Sequence, residues 1–176
     1  MNIATTLAQR HSKQTTLQIV NWIGEDQQRF AEFLPLFLHG EKQVVQRASW
    51  VMSFLGERSP ALLAPHWSAI MTALENPVHD AVSRNILKVI ANAKIDLPEE
   101  EEGRMVHIAF EALANPKTPV AIQAQAMTCL ANLLPKYPEL ADELRQTITE
   151  GMEYGSAGYC ARGRAVLQQI AKLPNS

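Results

Sequence analysis

Residues 73–77 read ALENP and residues 112–116 read ALANP: nearly the same five letters, 39 positions apart, each set between two apolar stretches. A junction written twice at that spacing constrains the chain to a repeated unit. Asparagine is a favoured N-cap because its side chain accepts a hydrogen bond from the free amides of a first helical turn, and proline suits the next position, where its missing N–H costs nothing. Asn76-Pro77 and Asn115-Pro116 therefore read as helix starts, and Ser59-Pro60 follows the same grammar. Thr118-Pro119 offers a second start just inside the third repeat, and Ser12 and Ser156 supply caps without proline.

Between these starts the apolar residues keep helical spacing, as in Val44, Ala48, Val51 and Leu55, or Ile122, Ala126, Cys129 and Leu133. No segment alternates like a strand. The pattern predicts helices over residues 28–38 and 42–55, 61–75 and 77–92, 99–114 and 117–134, and 138–153 and 157–172. Residues 1–25 read as an N-terminal capping segment, a further pair or half pair, since WIGED at 22–26 echoes FLGER at 54–58. Pro65 predicts a short turn at 60–64 before the helix proper, because an interior proline removes a hydrogen bond. A helix pair recurring roughly every 37 to 40 residues cannot close its own core, whereas stacked pairs bury each other's faces. The expected fold is all-α, a single domain over residues 1–176 built as an α-α superhelix of about four to five HEAT-like helix pairs.

Sixteen basic against eighteen acidic residues leave a formal charge of -2, without the overall positive field of a typical nucleic-acid binder. The N-terminus lacks a signal-peptide core and no stretch has the apolar length of a membrane span, so a cytoplasmic location is expected. Cys129 and Cys160 are too few for a disulfide framework and read as buried small apolar groups. The histidines lack zinc-site spacing, and no P-loop, GxGxxG or GxSxG occurs, so no metal, cofactor or catalytic signature is predicted.

The stretches QRASWVMSFL (46–55), PVHDAVSRNILK (77–88), NPKTPVAIQAQAM (115–127), KYPEL (136–140) and SAGYCARGRAVL (156–167) resemble a family of short bacterial HEAT-like repeat proteins without assigned activity. Some of its members carry the label adenylosuccinate lyase. The methionine-rich, serine-bearing loop of that lyase superfamily has no counterpart in this chain, so the resemblance implies the fold and not the reaction.

Candidate contact residues lie on the second, or B, helix of each pair. His79, Asp80, Arg84 and Lys88 read either as a ligand-binding surface or as a polar ladder in which Asp80 and Arg84 pair across one turn, worth about 0.2–0.5 kcal/mol. Arg162 and Arg164 flank Gly163, whose place inside a helix costs about 1 kcal/mol relative to alanine. Either a ligand or the preceding helix must approach there. Arg47, Arg84 and Arg162 or Arg164 form a row that would suit an acidic peptide or a phosphate backbone, broken at the third B helix. Trp50 reads as half-buried or as an anchor, and the acidic run at 99–102 as a solvated helix start favoured by the macrodipole. The sequence therefore points to a non-catalytic scaffold binding a protein or peptide on its concave B-helix face. The alternative is a DNA-binding protein similar in fold to the HEAT-repeat alkylpurine DNA glycosylases, which the net charge disfavours.

Overall fold

The apolar stripes read from the sequence become buried helix faces, with Val44 and Leu133 at their half-exposed margins. The computed structural model describes residues 2–9, 12–93 and 95–173. They form ten α-helices: α1 (Ile3–Gln9), α2 (Lys13–Ile23), α3 (Gln27–His39), α4 (Lys42–Arg58), α5 (Trp67–Glu75), α6 (Asp80–Ala93), α7 (Glu99–Ala114), α8 (Val120–Leu133), α9 (Leu140–Met152) and α10 (Ala157–Ile170). Two 3-10 turns, Pro60–Leu62 and Ala64–His66, precede α5, where Pro65 predicts an interruption. No strand occurs among the described residues, and none of their helices is long and apolar enough to cross a membrane. The chain forms two compact units, Met1–Glu101 and Glu102–Ser176.

In the first unit α4 is the central element, packed against α1, α2, α3 and α6. Its fully buried residues Ala48, Val51, Met52 and Leu55 are matched by the buried Ile19 and Ile23 of α2, Phe30, Phe33 and Phe37 of α3, and Ile86 and Val89 of α6, the helices packed against it. The B helices α2, α4 and α6 stack in succession. In the second unit α10 packs on both α8 and α9, so α8 and α10 repeat that stacking.

Glycine sets two of these approaches. A Cβ built on Gly56 of α4 would lie 2.7 Å from Cγ2 of Val89 on α6 and closer still to Cγ1, so the α4–α6 contact requires a bare backbone there. On Gly163 the same atom would lie 2.9 Å from Cγ2 of Ile148 and 3.3 Å from Sδ of Met152. The helical Gly163 thus serves the packing of α10 on α9. The echo between WIGED and FLGER falls at the end of a B helix in both places, but the glycines differ: Gly24 ends α2 with φ of +57°, whereas Gly56 lies inside α4.

The junctions carry a correction. α5 and α7 both end one residue before the repeated asparagine, as the recurrence predicts, but the following helices start later than Asn-Pro. Asn115 Oδ1 accepts from the Lys117 amide at 3.0 Å, closing a turn, and α8 starts after the second candidate, Thr118-Pro119. At the first junction His79 Nδ1 accepts from the Ala81 amide at 3.0 Å, so an imidazole takes the capping place expected of Asn76. Ser12 and Ser156 do cap α2 and α10, accepting from the Thr15 and Tyr159 amides at 3.0 and 3.3 Å. Pro60 opens a 3-10 turn, while the buried Ser59 hydroxyl takes no capping bond.

The acidic run is a second correction. Glu101 and Glu102 are buried, and Glu102 Oε1 receives both Lys136 Nζ at 2.6 Å and the Tyr137 hydroxyl at 2.7 Å. This carboxylate holds Lys136 protonated by hydrogen bonding, with its pKa pushed above the ordinary lysine range. The cysteines also differ from one another. Cys129 is buried in α8, which pushes its thiol up to about 12, whereas Cys160 is only half-buried.

Two measurements check this packing. Gly56→Ala should destabilise the protein by about 1–3 kcal/mol through overpacking, although alanine is the better helix former, and Val89→Ala in the same chain should recover part of the loss. Gly103→Ala, at an exposed position of α7 where a new Cβ meets nothing within 4 Å, should instead stabilise by about 0.5–1 kcal/mol. Urea unfolding reads both, and equal signs for the two glycines would contradict the α4–α6 contact. With a colourimetric disulfide reagent the native protein should expose one reactive thiol, lost in Cys160→Ser, while Cys129 reacts only after denaturation.

Candidate functional site

The polar side chains singled out from the sequence separate into those bound within the fold and those left open. Arg47 donates Nη1 to the backbone carbonyls of Leu7 and, at 2.9 Å, Ala8, satisfying acceptors that the end of α1 leaves unpaired. Lys88 bonds Glu57 Oε1 at 2.7 Å and Ser53 Oγ at 3.4 Å, tying α6 to α4. His79 is occupied as a helix cap. Asp80 and Arg84 are both exposed and form no ion pair with each other or with other described residues. Arg84, Arg162 and Arg164 are exposed, and none of them has a hydrogen bond or ion pair with the described residues. Trp50 is half-buried beside Phe54, ring centroids 5.8 Å apart at 56°, on the same helix as Arg47.

A polar ladder does exist, and of the residues singled out for it from the sequence it takes Lys88 but not Asp80 or Arg84. Arg58 of α4 donates to Asn21 Oδ1 of α2 at 2.7 Å, Lys88 of α6 reaches Ser53 of α4, and Gln169 of α10 donates to the Ala131 carbonyl of α8 at 3.4 Å. The partners are 37, 35 and 38 residues apart, so each bond spans one repeat between successive B helices.

The second unit also holds a groove that the sequence does not announce, with a volume of about 610 Å³. It lies between the turn joining α7 to α8 and the turn joining α9 to α10. Leu113, Pro116 and Val120 supply apolar wall, and Glu150, Tyr154 and Tyr159 the opposite side. The Tyr159 ring is seated over two glycines: a Cβ on Gly151 would fall 2.5 Å from its Cζ, and one on Gly155 2.7 Å from its Cδ1. Burial raises the Tyr159 phenol above its ordinary pKa. Gln123, 8% exposed, turns its Nε2 to the Asn115 carbonyl at 3.4 Å, and its oxygen has no partner among the described residues. The stretch GMEYGS at 151–156, with glycines around an exposed tyrosine, is the sequence signal nearest to this groove.

The sequence profile of the HEAT repeat domain matches residues 3–170. No curated protein and no solved structure matches the chain. Helix pairs, stacked B helices and hydrogen bonds that span one repeat agree with that match, and the chain belongs to the HEAT repeat domain family.

Proposed function

We propose that this HEAT-repeat protein is a non-catalytic scaffold that binds an acidic protein or peptide segment on the exposed faces of its B helices. The observation that carries the proposal is the division of the cations. Arg47, Arg58, Lys88 and Lys136 are each tied to an acceptor within the fold, whereas Arg84 on α6 and Arg162 and Arg164 on α10 are exposed and unpaired. A free guanidinium keeps its five donors for a carboxylate fork, which suits it to bidentate recognition. Trp50 with Phe54 offers an aromatic surface on a B helix, and partly exposed aromatic groups serve as anchors in protein interfaces.

The test is fluorescence anisotropy with a labelled glutamate-rich peptide containing leucines, and with a short DNA duplex, at low and at physiological salt. The triple variant Arg84→Glu, Arg162→Glu, Arg164→Glu should keep the helical circular dichroism and lose peptide affinity by about tenfold or more, which corresponds to about 1.4 kcal/mol. Unchanged peptide affinity in the triple variant would refute the reading. Tighter binding of the duplex, falling steeply with salt, would replace it with phosphate-backbone recognition.

A further inference from the structure

A second site follows from the groove in the unit Glu102–Ser176, independently of the arginines on the B helices. Its lining mixes apolar and aromatic side chains with the hydroxyls of Thr118, Ser156 and Tyr154, which can donate or accept, and two further groups, Gln123 and Glu150, present acceptor oxygens to it. The Gln123 amide directs its NH2 to the Asn115 carbonyl, which leaves Oε1 as an acceptor with no partner among the described residues. Glu150 Oε1 accepts from Gln146 Nε2 at 2.8 Å, and its second oxygen is free for another donor. Glu150 is the one charged side chain among the described lining residues, and no lysine or arginine is present to balance it. The residue that follows α9, Glu153, is acidic as well. Arg145 is drawn to Asp142 rather than to the groove.

Tyr154 stands at the rim, 88% exposed, as one of the few large hydrophobic side chains turned to solvent. An aromatic face beside a carboxylate is the combination that attracts a cation, since the ring quadrupole adds to the charge pair. The start of α8 carries no side-chain cap and contributes some positive potential, but only as a partial charge against the full charge of Glu150. About 610 Å³ exceeds the needs of a water or an ion and falls within the range of organic ligand sites. We infer that this groove receives an arginine or lysine side chain, with its apolar neighbours, from a basic segment of a partner protein. The cation would lie between Glu150 and Tyr154, donate to Gln123 Oε1, and place its aliphatic stem on Val120 and Tyr159.

The test uses the full chain, labelled with nitrogen-15, and three five-residue peptides in which leucines alternate with arginine, citrulline or glutamate. The arginine peptide should shift the amides of residues 150–156 and the Gln123 side-chain amide saturably, and the citrulline and glutamate peptides should bind at least about fivefold more weakly, as loss of one exposed ion pair allows. Glu150→Gln and Tyr154→Ala should each weaken the arginine peptide about threefold or more, whereas Glu143→Gln, on α9 but outside the groove, should change nothing. All three positions are exposed, so the variants should fold. The inference is overturned if the arginine peptide leaves the groove signals unmoved, if citrulline or glutamate binds equally well, or if Glu150→Gln retains full affinity. Because Arg84, Arg162 and Arg164 stay intact throughout, the result does not depend on the acidic-peptide reading.

Discussion

A pair of amphipathic helices has more apolar surface than it can bury against itself, and this constraint governs the rest of the molecule. The surplus face must be covered by the next pair, so B helices meet B helices and the quality of that contact decides whether the array closes. At the α4–α6 contact the limiting atoms are backbone: Gly56 lies under the branched side chain of Val89, where even one methyl group would collide. Gly163 plays the same part between α10 and α9. In both cases a residue unfavourable to an isolated helix, by about 1 kcal/mol, is retained because it allows two helices to approach. The cost is local and the gain belongs to the stack.

Once the apolar faces are matched, polar contacts of one-repeat span fix the register. Exposed pairs such as Lys88 with Glu57 contribute little to stability, about 0–1 kcal/mol, and act mainly by selecting one alignment of the stacked helices. Glu102 belongs to another class. Its carboxylate is buried, and removing its donors would leave a charge without compensation, so Lys136 and Tyr137 are required partners rather than decoration. These contacts also bear on function, because a cation engaged in register is no longer available to a ligand. That is why Arg47 and Lys88, chosen from the sequence together with Arg84, have a different standing in the structure.

The helices were legible because burial of one face imposes a 3.6-residue period on the letters, and α3, α7 and α10 follow the predicted spans within two residues. Their starts were less legible. Asn-Pro is good chemistry both for a cap and for a turn, and at Asn115 the side chain closes on the Lys117 amide while Pro119 sets the later start. Histidine is not among the usual caps, so nothing in the letters near 79 indicated the imidazole of His79. The burial of Glu102 was hidden for a different reason: its partners lie 34 and 35 residues away, and a run of acidic letters at a helix start reads the same whether the last of them is solvated or enclosed. The groove was hidden most completely. It requires the turn at 115–119 to face the turn at 153–156, a relation that no local pattern encodes.

The net charge of -2 argues against a polyanion partner only if the whole chain acts as one charge. At physiological ionic strength the Debye length is about 8 Å, shorter than the span of a single helix pair, so a ligand at the surface responds to the few charges nearest to it. On α10 those nearest charges are the arginines flanking Gly163, and around the groove they are carboxylates at the end of α9. A near-neutral total is therefore compatible with strongly charged sites of both signs. In a repeat protein this separation has a structural origin. The buried face of each helix is committed to stacking, and a limited set of polar residues is committed to register. The remaining positions are released from the demands of folding, and the exposed residues proposed above as partner contacts, Arg84, Arg162, Arg164, Glu150 and Tyr154, are among them.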